Sequence, residues 1–140
     1  MALQVYSTVW EVVANRILVV EDDLLNRMFL CATLESSGYE VRMVTDGAHV
    51  LAATREFGPD LITMDINLPN VSGVDLIENL QADPDLRDIP ILAITAYVGK
   101  GEERIIREAG AADYMAKPIS IRPFLRSVAT LLGQSPRSGH

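Results

Sequence analysis

A doubly wound α/β fold built on a five-stranded parallel sheet is what this sequence predicts. Two observations carry it. Short apolar runs alternate with segments of helical period from Arg16 to about Leu132, and regular β–α alternation implies parallel strands covered on both faces. Several runs also end in chemistry-bearing residues. That is how such folds place ligand sites, beyond the carboxyl ends of the strands.

The elements follow in order. "RILVV" (16–20) reads as a buried strand. Leu25, Met28, Phe29 and Ala32 then form an i, i+3, i+4, i+7 stripe, predicting a helix that buries this face and closes at Gly38. "YEVRMV" (39–44) alternates like an edge strand. "DGAHVLAATREF" is a helix capped by Asp46 and stopped by Gly58-Pro59. "DLITM" (60–64) is the third strand, leading into Asp65. Ser72 and Asp75 make a capping-box-like start for a helix to about Ala82. "IPILAIT" (89–95) is the fourth strand, with Pro90 near its start, where a missing N–H does least harm. "GEERIIREAG" is a helix ending on Gly110 and "DYMA" (113–116) a short fifth strand. "SIRPFLRSVATLL" is the last helix, with Ser120 its candidate cap.

Composition narrows the function classes. At 140 residues the chain is one domain with a single filled core. No apolar run reaches the roughly 20 residues that span a bilayer, and the N-terminus lacks the build of a signal peptide. A net charge of −7 with scattered basic residues argues against nucleic-acid binding. The single cysteine, Cys31, excludes an intrachain disulfide and fits a reducing cytoplasm. Within its helix it reads as a small packing residue. His49 falls in a helix pattern as a surface or packing residue, and His140 is terminal.

Listing the strand ends gathers a constellation. Strand one ends in Glu21-Asp22-Asp23, strand three in Asp65, strand four in Thr95-Ala96 and strand five in Lys117-Pro118. All lie on one sheet edge. Asp65 alone reads as a turn or cap residue, and Asp23 as part of a solvated loop. Asp22, Asp65, Thr95 and Lys117 at matching strand ends read as a site. Clustered carboxylates repel unless a hard cation intervenes, and Mg2+ suits few carboxylates with open water positions. A carboxylate nucleophile, Mg2+, an ammonium and a hydroxyl compose a phosphoryl-transfer site.

These motifs carry a resemblance. In "VEDD", "MDINLPNVSG", "TAYVGKGEERIIREAGA" and "YMAKPIS" the chain resembles the CheY-like receiver domains of response regulators, and DivK-type single-domain regulators most closely. The likeness covers 16–132, leaving 1–15 as an N-terminal extension and 133–140 as a polar tail. It implies the flavodoxin/CheY-like strand order 2-1-3-4-5. It also implies that Asp65 accepts the phosphoryl group, with Glu21, Asp22, Asp65 and the Asn67 carbonyl holding Mg2+. Glu21, where many receivers carry Asp, ligates directly or through water. Thr95 and Ala96 bind the phosphoryl group with Lys117, whose peptide to Pro118 is cis, and Tyr114 is the switch aromatic. Asn67 and Tyr97 tune dephosphorylation, Tyr97 by partly covering the acyl phosphate.

The implied partners are a histidine kinase or histidine phosphotransfer protein and a downstream protein target, with neither nucleic acid nor membrane. No output domain is expected after the last helix, and no turnover of a separate substrate. Residues 1–15 are expected to pack on the domain or on a second copy in a homodimer, since Trp10 and four valines would otherwise form an exposed apolar patch. A haloacid-dehalogenase-type phosphatase shares the Asp, Thr, Lys and Mg2+ set. It needs an acid two residues after the nucleophile, where this chain has Asn67, and it orders its motifs differently. A receiver that is no longer phosphorylated conflicts with the complete set of site residues.

Overall fold

In the computed structural model, residues 14–97 and 99–134 are described. The expected packing of the N-terminal extension, Trp10 included, and most of the polar tail fall outside them. The elements are β1 (Arg16–Val20), α1 (Leu24–Ser36), β2 (Glu40–Val44), α2 (Val50–Phe57), β3 (Leu61–Asp65), α3 (Gly73–Ala82), β4 (Ile91–Thr95), α4 (Lys100–Ala109), β5 (Asp113–Ala116) and α5 (Ile121–Leu131). The strands form one parallel sheet in the order β2-β1-β3-β4-β5. Chain order reverses between β1 and β3, which puts the crevice of a doubly wound fold above those two strands. Among the described residues no helix is long and apolar enough to cross a membrane.

Strand alternation splits the core in two. Leu18, Val20, Ile62, Met64 and Ala93 face α2, α3 and α4. Ile17, Val19, Leu61, Leu92 and Ile94 face α1 and α5, where Phe124 and Val128 complete the packing. Every residue of β3 and β4 is buried, as central parallel strands require. Thr63, on β3 between Val19 and Leu92, is 1% exposed, and its hydroxyl finds no hydrogen-bond partner among the described residues. Thr63→Val keeps the shape and removes that unpaired group. It is expected to stabilise by about 1 kcal/mol, read from urea unfolding; a lower midpoint would show that the hydroxyl is satisfied.

The helix ends follow local chemistry. Asp23 accepts from the Asn26 N–H to start α1, and Ser72 from the Val74 N–H to start α3. Asp46 accepts from the Ala48 N–H, capping a short 3-10 turn (Gly47–His49) that leads into α2. Gly58 ends α2 at φ 64°, a left-handed conformation that glycine adopts without strain. Ser120 stands at the N-cap of α5 with extended backbone, but its side chain makes no cap hydrogen bond.

One expectation is corrected. The stripe Leu25, Met28, Phe29 and Ala32 does not face the core; Leu25 is 75% exposed and Met28 57%. Instead α1 buries Leu30, Cys31 and Leu34 against Ile17, Val19 and Phe124. The helix is apolar on both sides, so periodicity offers two stripes. The short link from β1 and the Asp23 cap select the other one. Burial, with help from the Glu35 charge, pushes the Cys31 thiol up to about 11, while Arg27 pulls it down. At pH 8 this leaves roughly a hundredfold less thiolate than in a free cysteine. Iodoacetamide is therefore expected to label Cys31 quickly only in denaturant, and equal native and denatured rates would contradict its burial.

Candidate phosphoryl-acceptor site

Three strand ends and their loops bring the constellation together. Asp65 is the last residue of β3 and is 2% exposed. Its Oδ1 accepts from the Asn67 N–H at 2.9 Å, which turns the carboxylate away from the sheet. Its Oδ2 lies 3.4 Å from the Lys117 ammonium, which follows β5. Lys117 is held there by its own N–H, which donates to the Thr95 carbonyl at 2.8 Å. The Lys117–Pro118 peptide is cis, as the resemblance implied.

Glu21 follows β1, tied by its N–H to the Val44 carbonyl, and is 1% exposed. One carboxylate oxygen, Oε2, accepts from the Asp23 N–H; Oε1 lies 3.5 Å from the Lys117 ammonium but accepts no hydrogen bond among the described residues. Burial pushes Glu21 up to about 7, and the neighbouring Asp65 carboxylate pushes the same way. Two buried carboxylates thus share a single ammonium. Asp22 is exposed, yet Glu21, Asp22 and Asp65 each offer an oxygen within 4.8 Å of the others. The orphaned Glu21 oxygen and three converging hard donors fit a divalent cation such as Mg2+.

On the opposite side, Asn67 Oδ1 accepts from the Ala96 N–H at 2.9 Å, joining the loops after β3 and β4. The Thr95 hydroxyl is fully buried and accepts from the Tyr97 N–H at 3.1 Å. Tyr97 itself is 63% exposed. Tyr114, on β5, is half-buried, and Arg107 lies over its ring at 5.6 Å. Arg107 is anchored in turn by Glu103 and Asp113. A cleft of about 210 Å³ opens beside the site, lined by Glu21, Phe29, Lys117 and Pro118 among others.

Sequence reasoning missed three supports. Gly73 opens α3 directly against β3: an added Cβ would sit 2.5 Å from Ile66 Cα and 2.7 Å from the Asp65 carbonyl oxygen. The Asn67–Ala96 bond is a side-chain contact between loops, which spacing cannot reveal. Arg27 donates to the Glu21 and Asp22 carbonyls. It was findable, because it shares the helical phase of Leu30, Cys31 and Leu34.

Comparison with known proteins identifies the family. The response regulator receiver domain family matches residues 17–129. The polar-differentiation response regulator DivK of Brucella anthropi is 41% identical over 119 residues, 85% of this chain and 97% of its own. Among solved structures, the receiver domain of a sensor histidine kinase from Pseudomonas aeruginosa, which has a magnesium ion coordinated in its active-site cleft, is 32% identical. It superposes with a TM-score of 0.79, covering 86% of this chain and 99% of that one. A CheY-like receiver protein from Methanospirillum hungatei, 28% identical, also has a TM-score of 0.79, covering 86% and 94%. With a matching family, a DivK relative and five strands in the order 2-1-3-4-5, this chain belongs to the response regulator receiver domains and is DivK-like.

Proposed function

We propose that the chain is a cytoplasmic single-domain response regulator of a phosphorelay that accepts a phosphoryl group on Asp65. The observation that carries this is one carboxylate, fixed at the end of a buried central strand, facing an ammonium on one side and two acids on the other. The donor is a phosphohistidine on a histidine kinase or histidine phosphotransfer protein. An Asp65 oxygen attacks phosphorus, the P–N bond breaks, and its electron pair returns to the imidazole, which takes up a solvent proton. Lys117 pairs with the new phosphoryl oxygens, and the Thr95 hydroxyl and Ala96 N–H donate to them. Glu21, Asp22, Asp65 and the Asn67 carbonyl would hold Mg2+, which, when bound, neutralises the crowded oxygens.

The aspartyl phosphate adds about one negative charge to the site. For Ala96 to donate to it, Asn67 must release the Ala96 N–H that it now holds. Thr95 moves with the same loop, and Tyr114 turns inward only by leaving Arg107. Phosphorylation therefore biases the surface around α4, β5 and α5, which reads out to a downstream protein target. Phosphotransfer from a panel of the host's histidine kinases tests the reading. Rapid labelling by one or a few of them is expected, and labelling by none would count against it.

Tyr97 and Asn67 set the lifetime of the product in this proposal. The exposed Tyr97 ring folds over the acyl phosphate and hinders water. Tyr97→Ala is expected to shorten the lifetime several-fold, on the scale of a lost water-excluding contact. Equal or slower decay in the variant would remove Tyr97 from that role.

A further inference from the structure

We propose that Arg27 is the positioning residue of the metal site, holding the acidic pair in place through its backbone. This rests on the Mg2+ reading above and extends it. Arg27 Nη1 lies 3.3 Å from the Glu21 carbonyl oxygen and 3.1 Å from that of Asp22. One guanidinium from the first turns of α1 thus grips both peptide groups of the loop that carries two of the three candidate ligands. Among the described residues, Arg27 forms no ion pair with a carboxylate, unlike Lys117. It leaves the ligand oxygens free and orients the chain that bears them.

The loop is otherwise lightly tied. Glu21 N–H bonds Val44, Asp23 N–H bonds the Glu21 side chain, and Asp23 caps α1. None of these bonds engages the Glu21 or Asp22 carbonyl. Without Arg27 the two peptides are free to rotate, and the carboxylate oxygens that lie within 4.8 Å of Asp65 lose their common aim. Groups that orient metal ligands are worth roughly 10–100-fold in affinity when removed.

Charge and positioning make opposite predictions. Deleting a cation near a metal site should, by Coulomb's law alone, strengthen Mg2+ binding. Loss of positioning should weaken it. Arg27→Met keeps the apolar stem and removes the donors; Arg27→Lys keeps the charge but loses the planar fork.

Mg2+ binding to the full chain, measured by calorimetry for wild type and both variants, tests this. Acetyl phosphate labelling across Mg2+ concentrations and melting temperature in EDTA accompany it. Expected is about tenfold weaker binding in Arg27→Met and an intermediate value in Arg27→Lys. The half-saturating Mg2+ for labelling should rise in step, with the plateau rate recovered at high Mg2+. Unchanged or tighter binding in Arg27→Met overturns the inference. So does a lower melting temperature with a reduced plateau and an unchanged Mg2+ midpoint, the pattern of a merely structural residue. If wild type binds no Mg2+, the reading of the metal site fails first and takes this inference with it.

Discussion

Asp65→Asn is expected to abolish phosphoryl acceptance and yet leave the metal-free domain at least as stable as wild type at pH 8. The amide is a poor nucleophile, so the chemistry is lost. It still offers an oxygen to the Asn67 N–H, so the local turn is kept. What it removes is a charge opposing Glu21 in a site where both residues are almost fully buried and share one ammonium. At pH 8 Glu21, pushed up to about 7, is ionised, and relief of that repulsion is expected to stabilise by about 1 kcal/mol, a few degrees in melting temperature. Thermal unfolding in EDTA checks this. A marked drop in melting temperature would mean that the Asp65 charge holds the fold together rather than straining it.

Gly73→Ala is expected to do the reverse: to damage fold and site together. The added methyl would meet backbone, not a side chain that can swing away, at 2.5 Å and 2.7 Å. Either α3 retreats or the β3–α3 loop moves, and the loop begins at Asp65. The cost is about 3 kcal/mol, in the upper range for overpacking, or a melting temperature lower by on the order of 10 °C. Because the displaced atoms adjoin Asp65, acceptance should fall even in the fraction that stays folded. Gly101→Ala, where an added methyl meets nothing within 4 Å, is the control and is expected to be nearly neutral. Equal melting temperatures for the two variants would show that α3 can retreat freely.

Much of this was legible in the chain, for identifiable reasons. Runs such as "LITMD" and "ILAIT" are apolar on both faces, which only central parallel strands require, so β3 and β4 were readable with their terminal Asp65 and Thr95. Glycines and prolines fixed the ends of α2 and α4 because backbone conformation, not packing, decides there. The face of α1 was not legible. Leu24, Leu25, Met28 and Phe29 compete with Leu30, Cys31 and Leu34, and only the geometry of the link from β1 breaks the tie. Arg27 shares the phase of Leu30, Cys31 and Leu34, so its role becomes legible once that tie is broken. Gly73 was not legible either, because close approach of α3 to the β3–α3 loop is a tertiary fact.

The claim on which the rest depends is that Asp65 takes up a phosphoryl group using machinery carried by this domain itself. Intact-protein mass spectrometry after incubation with acetyl phosphate tests it most directly, comparing wild type with Mg2+, wild type with EDTA, and Asp65→Asn with Mg2+. A single added phosphoryl group is expected in the first sample alone. The same addition in Asp65→Asn, or its equal formation with EDTA present, would contradict the mechanism.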